Sequence, residues 1–230
     1  GFNMELNEAS YVPRKSGVNS VNLGIRITKY LGDHYFKYGL EVHTLKTDYL
    51  YYSTTYNQTE QSNNSSEVSG YCSYFGNYNR FLIRPGVRFI LYSVLNKFSL
   101  EPRLSLKYLL TDHFRLKAAG GLYTQNLISA TSDRDIVNYF SGYLSAPVNI
   151  AATNGKDYTE YSLQNAWHVV VGAEVDLGDR LFVNLEAYYK GYPQLINYNR
   201  DKLFNEYDHP DKPEILIKDF ILESGYSSGI

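Results

Sequence analysis

One cysteine, one tryptophan and one methionine are all that 230 residues contain of those types. A lone thiol excludes an intrachain disulfide, and Cys72, within a strand pattern, reads as a small buried side chain and not as a nucleophile. No apolar stretch approaches the ~18 residues of a membrane helix, which excludes a helical span. A net charge of -2 leaves no footprint for nucleic acid. His34, His43, His113, His168 and His209 are scattered without zinc-site spacing. Asp133 and Asp135 lack the loop of a calcium site and read as a cap, turn or ion pair. The expectation is therefore no enzyme, no metal and no cofactor. The opening GFNMELNEAS has neither the basic nor the apolar region of a signal peptide. ILESGYSSGI, at the other end, stops where an alternating strand begins, and both ends suggest a segment of a longer polypeptide or a chain whose termini are not included.

What the chain has in abundance is aromatic: 24 Tyr and 11 Phe, in a sequence whose mean hydropathy is only -0.37. Alternation reconciles the two. Val21, Leu23, Ile25 and Ile27 interleave with Ser20, Asn22, Arg26 and Thr28, giving one greasy face and one wet one. Phe36, Tyr38, Leu40 and Val42 interleave with Lys37, Gly39, Glu41 and His43. The same pattern recurs around Phe81 to Phe89, Leu104 to Tyr108, Phe114 to Ala118, Val169 to Val175 and Leu181 to Ala187. Eight strands and the start of a ninth are predicted. Pro85 falls inside one of them, where its missing donor is unexplained by the sequence.

Short links, LGDH at 31 to 34, YNR at 78 to 80, TDH at 111 to 113 and LGD at 177 to 179, are expected to alternate strictly with long polar ones. The long loops are placed at about 55–65, 126–164 and 193–223, the last with a short helix near EILIKDF. Tight turns on one side and extended loops on the other are the plan of a membrane β-barrel. The predicted fold is all-β, an antiparallel transmembrane β-barrel segment of about eight or nine strands with short periplasmic turns and long extracellular loops, read as one domain across 1–230. Its wet face points to the lumen, carrying Arg84, Arg88, Arg103, Lys107, Arg115 and Lys117 against Glu174, Asp176 and Glu186. Candidate ligand contacts are the loop aromatics Tyr139, Phe140, Tyr143, Tyr158, Tyr161, Tyr198 and Tyr207, which can stack on rings while their hydroxyls hydrogen-bond.

Four stretches carry a resemblance. DHYFKYGLEVH has the pattern His-x-x-Lys-x-Gly-x-Glu through His34, Lys37, Gly39 and Glu41. IRPGVRF supplies Pro-Gly-x-Arg, and EPRLSLKYLLTDHFRLKAAGGLYTQ is a hairpin opening on Pro-Arg and ending in Gly and Thr-Gln. WHVVVGAEVDL with VNLEAYYKGYPQL forms the hairpin after it. In this order, over roughly 18 to 200, they resemble the barrel of TonB-dependent outer-membrane receptors of the type found in Bacteroidota. The resemblance implies a bacterial outer-membrane location and part of an about 22-stranded barrel closed by a plug. No plug domain and no TonB-contacting segment match. It also implies energy-coupled uptake of a scarce nutrient, with partners in the outer-membrane lipid, the plug and remaining barrel of the same polypeptide, the TonB complex, and a small-molecule, glycan or metal-chelate cargo. Two other readings stay open: a stand-alone small barrel with an adhesive or structural role, and a soluble β-sandwich that binds glycans.

Overall fold

The computed structural model describes residues 2–6, 14–52, 58–130, 142–145, 147, 150–151, 163–178, 180–199, 201–204 and 206–230. Where aliphatic and polar side chains alternate, the chain is extended, because only a strand sends successive residues to opposite faces. The strands are β1 (Phe2–Leu6), β2 (Arg14–Leu31), β3 (His34–Tyr52), β4 (Gln58–Tyr78), β5 (Phe81–Tyr92), β6 (Lys97–Leu109) and β7 (Phe114–Gln125). After them come the short β8 (Leu127–Ala130), β9 (Gly142–Ser145) and β10 (Ile150–Ala151), then β11 (Gln164–Leu177), β12 (Leu181–Tyr198), helix α1 (Glu214–Ile217) and β13 (Phe220–Gly229). One sheet runs in the order β1-β2-β3-β4-β5-β6-β7-β11-β12-β13-β10, and β8 pairs with β9 apart from it. Long neighbours are antiparallel; the two-residue β10 joins β13 parallel. Nine strands are long, as the alternation predicts. Among the described residues β1 and β10 are the edges, so this sheet does not close on itself as a stand-alone small barrel would.

The short turns are built on left-handed residues. Gly32 (φ 63°), Asn79 (φ 54°) and Gly178 (φ 67°) each take a conformation that side chains disfavour. At Gly32 a Cβ would meet nothing within 4 Å, so the turn selects glycine for its φ and not for space.

The aliphatic face lies open. Leu23 and Ile25 are 70% exposed, Leu40 67% and Leu185 60%. Among the described residues no second layer covers them, which overturns the sandwich reading, where this face would be the core. The open band has a constant height. It runs from Val68 to Tyr78 on β4, Phe81 to Leu91 on β5, Phe98 to Tyr108 on β6 and Trp167 to Leu177 on β11, eleven residues each, with exposed large hydrophobics marking the band on all four strands. At ~3.4 Å per residue and a ~40–45° tilt, the ten steps from end to end rise ~25 Å, the height of an outer-membrane apolar band.

Several expectations need correction. The loop at 55–65 is strand from Gln58 on: β3 and β4 stay paired up to Tyr52↔Gln58. This hairpin stands about ten residues above the apolar band, where the outer face carries polar residues and the inner face is covered through polar contacts, so hydrophobic alternation vanishes. Links do not alternate strictly in length, since Ser93–Asn96 joins β5 to β6 in four residues at the end opposite the tight turns. Cys72 is exposed on the aliphatic face, paired with Tyr38 and Val87, because in this sheet the apolar side is the outside. The 193–223 loop is shorter than expected: β12 continues to Tyr198, absorbing Pro193 where its register with β13 shifts between Tyr192 and Leu195, and β13 starts at Phe220. The helix near EILIKDF is α1. Pro85 is tolerated because the β4–β5 ladder opens beside it, stepping from Ser73↔Gly86 to Gly76↔Ile83, while Pro85 stays opposite Leu104 on β6.

The described parts of the 126–164 segment do not hang free. Its strands β8 and β9 fold over the polar face, and Ile128, Leu144 and Ile150 form a buried cluster with Tyr49 of β3, Ile196 of β12 and Phe220 of β13. One cluster thus touches strands near both ends of the sheet, which requires the sheet to curl with its polar face inside.

Candidate functional site

Residues of one parity on each strand converge on the inside of this curl. Cross-strand pairing aligns them in rows: Arg26, Gly39, Tyr71, Arg88 and Glu101 occupy one, and Ser73, Gly86, Arg103, Gly121 and His168 the next. Small residues at Ser73 and Gly86 leave a hollow of about 570 Å³, walled by Arg26, Lys37, Glu41, Tyr71, Arg84, Arg88, Arg103, Tyr123 and His168, with Gly39 making room for the Tyr71 ring at its side. Gly39 is obligatory there, for a Cβ would stand 2.4 Å from the Ile25 carbonyl oxygen and 2.8 Å from the Tyr71 hydroxyl.

The cations of the hollow are held loosely. Arg26 donates to the Tyr71 hydroxyl at 3.0 Å and stands 3.9 Å from Glu41, which also faces Arg88 at 3.6 Å. Arg88 donates to Ser69 Oγ at 3.0 Å. Arg84 donates to the Tyr35 hydroxyl at 3.1 Å and lies 5.3 Å from the Phe75 ring centre. Lys37 sits 5.2 Å from the Tyr35 ring centre. Arg103 alone is tightly paired, 2.7 Å from Glu101, with its guanidinium over the Tyr123 ring that stacks on His168 at 4.5 Å.

A second cluster nearer the tight turns is balanced. Glu174 meets Lys107 at 2.6 Å, Arg115 at 3.3 Å and Lys117 at 3.4 Å; Arg115 also pairs with Asp176, and Lys117 with Glu186. Three cations face three carboxylates and form a closed network.

At the opposite end the folded-in hairpin docks through polar contacts. Thr47 Oγ1 and Ser145 Oγ are 3.0 Å apart, Ser145 N donates to Thr47 Oγ1 at 3.1 Å, Asn63 Nδ2 donates to the Ser145 carbonyl at 2.7 Å, and Tyr143 N donates to Ser16 Oγ at 3.0 Å. Thr47, Ser16 and Ser145 are wholly buried. Thr47→Val keeps the shape and removes the acceptor of a buried N–H, at a cost of about 2 kcal/mol. Hydrogen exchange of the β8 and β9 amides should accelerate roughly 30-fold, an effect confined to that hairpin.

All nine charged residues proposed for the lumen lie on the concave face, but in two different settings: Arg84, Arg88 and Arg103 at the hollow, Lys107, Arg115, Lys117, Glu174, Asp176 and Glu186 in the balanced cluster. The three described aromatic candidates are not gathered. Tyr139, Phe140, Tyr158 and Tyr161 lie outside the described residues, as do Asp133 and Asp135. Tyr143 is on the docked hairpin, Tyr198 ends β12 opposite Phe220, and Tyr207 is 92% exposed on the 199–219 connection; neither Tyr143 nor Tyr207 lines the hollow. Sequence reasoning missed Glu101 and Tyr71. Glu101 shares its parity with Arg103 and could have been found by extending that strand two residues back.

No protein-family model matches the chain, and no curated protein matches it. Solved structures do. The siderophore receptor PirA from Pseudomonas aeruginosa aligns over 95% of this chain and 40% of its own, at 13% identity and a TM-score of 0.61. A mutant of the ferric enterobactin receptor PfeA from Pseudomonas aeruginosa aligns over 95% of this chain and 32% of its own, at 14% identity and a TM-score of 0.53. This chain has the barrel-wall fold of outer-membrane receptors. The RagAB peptide importer shares the same wall over 94% of this chain and 28% of its own, at 9% identity and a TM-score of 0.51. The chain therefore spans well under half the length of each of these proteins, and in it the hollow lies on the concave, charged side.

Proposed function

We propose that the chain is part of the wall of a bacterial outer-membrane receptor that takes up a scarce nutrient, without enzymatic chemistry, by TonB-dependent energy coupling. The observation that carries this reading is the eleven-residue apolar band, open on the outside of a sheet whose inside is charged. Lipid is the partner that such a band suits. The sheet edges support a larger assembly: Asn19–Leu31 of β2 has β3 on one side and no described strand on the other, and in a bilayer unpaired backbone groups must find partners. Further strands of the same polypeptide would supply them, a plug would fill the curl, and the TonB complex would supply the energy. Cargo, a small molecule, glycan or metal chelate, would be captured at the loops and passed along the concave face.

The test is to fractionate source cells and sequence peptides from the band that yields EPRLSLKYLLTDHFR. The expected result is an outer-membrane band several times heavier than 26.4 kDa. A band near that mass, or one in a soluble fraction, would remove the receptor reading.

A further inference from the structure

We infer that the outer face of the wall carries a docking site for the neutral sugar headgroup of a membrane glycolipid, at the loop-side rim of the apolar band on β11, β12 and β13. The inference rests on the receptor reading for the bilayer outside the wall, and goes beyond it by naming the lipid that one patch of the wall selects. Trp167, the top of the band on β11, pairs with Gly191, and Gly191 with Tyr226, so the three share a row; Tyr189, two residues below Gly191, has the same parity. Gly191 lets the row close up, since a Cβ there would stand 2.4 Å from the Trp167 ring. Trp167, Tyr189 and Tyr226 form a ladder of rings, with centres 5.3 Å and 5.9 Å apart and planes inclined by 33° and 11°. Those separations exceed the ~3.5–4.0 Å of superposed rings in contact, so the rings are offset and each leaves part of its face uncovered. Tyr226, at the outer end of the ladder, is 75% exposed.

Directly above the rings β12 bulges. Its register steps from Tyr192↔Gly225 to Leu195↔Glu223 on one side and from Gly191↔Trp167 to Gln194↔Asn165 on the other, one extra residue on β12 against each neighbour. The bulge brings Pro193 to the rim and leaves Ser224 with no ladder partner on β12. Trp167, Tyr189, Gly191, Pro193, Ser224 and Tyr226 bound a shallow saddle of about 640 Å³. Among the described residues no charged side chain lines it; Lys190, beside Gly191, has the opposite parity and lies over the Tyr188 ring. A phosphate or ammonium headgroup therefore finds no counter-charge, and rings set nearly parallel do not make the cage that holds a cation from several sides. A pyranose matches on both counts, its C–H faces packing on the rings and its hydroxyls pairing with those of tyrosine and serine. Below the saddle Val169, Val171 and Leu185 continue it as exposed aliphatic surface, which suits the acyl chains of a lipid and offers nothing to a free sugar.

The full-length protein, purified from outer membranes in a sugar-free polyoxyethylene detergent, is titrated with monoglucosyl diacylglycerol or with phosphatidylglycerol of the same acyl chains, and the lipid-bound fraction is read by native mass spectrometry. Retention of one glucolipid is expected, at concentrations where phosphatidylglycerol is not held and without displacement by methyl β-glucoside. Y189L/Y226L keeps the apolar area and should weaken retention about tenfold or more, since two ring faces are lost. Phe98→Leu removes an exposed ring at the same rim on β6, outside the saddle, and should leave retention unchanged. Should the double variant fail to assemble, Tyr226→Leu alone decides. No retention, equal retention of phosphatidylglycerol, displacement by methyl β-glucoside, or equal loss in F98L overturns the proposal, the last by showing only the general aromatic belt of a membrane barrel. The mass and location of the native product, which test the receptor reading, do not depend on Tyr189 or Tyr226, so the two failures are seen separately.

Discussion

Leu106→Arg and Val171→Arg are each expected to lower the stability of the detergent- or lipid-folded protein by about 2–4 kcal/mol, the cost of a cation at mid-depth on a lipid face. The two residues share a row: Leu106 pairs with Ala118, and Ala118 with Val171. Both are exposed, at 40% and 51%, with no protein group to satisfy a charge. Val171 stands six residues from Leu177 and four from Trp167, the two ends of the apolar band on its strand. An arginine there can reach water only by threading its chain to an interface, whereas the same change at Tyr189, beside Trp167 in the aromatic row, should cost ~1 kcal/mol or less. The check is urea unfolding in lipid, read by the gel-mobility shift of folded barrels. If both mid-band arginines are neutral, the exposed band faces water and the membrane assignment falls.

How legible the fold was depended on which part of each strand lies in the exposed apolar band. Inside the band every second residue must be apolar and the others polar, so β2, β3, β6, β7, β11 and β12 declared themselves by period two. Above it the rule lapses. Gln58 to Glu67 is polar on both faces and pairs with β3 through backbone ladders that leave no trace in hydropathy. β8 and β9 are four residues long, too short to show a period, and their docking on Thr47 and Ser16 depends on contacts distant in sequence. Cys72 was misread because burial statistics for cysteine describe proteins with an apolar inside. The site divides the same way. Parity alone places Arg84, Arg88 and Arg103 on the concave face, but which cations are neutralised is a matter of cross-strand register. Lys107 and Lys117 lie opposite each other on β6 and β7 and are reconciled only because Glu174 arrives from β11.

Glu101→Ala is the other substitution expected to have a large effect, about 3 kcal/mol of destabilisation. Pairing of β6 with β7 stops at Arg103↔Gly121, and above that point the side chain of Glu101, 2% exposed, occupies the place of a ladder partner. Its carboxylate accepts from Thr124 N at 2.7 Å, from Thr124 Oγ1 at 2.9 Å and from Arg103 at 2.7 Å. A carboxylate only accepts, so the Thr124 hydroxyl gives its proton to Glu101, and its oxygen is left to receive the hydroxyl of Tyr92, 2.9 Å away. Alanine would strand a buried backbone N–H and unhinge this chain of hydroxyls. Gln at the same position retains an acceptor but turns its amide toward Arg103 or Thr124, and should cost roughly half as much. Urea unfolding of the folded barrel checks this, and unchanged stability would mean that the opening between β6 and β7 is closed by other contacts.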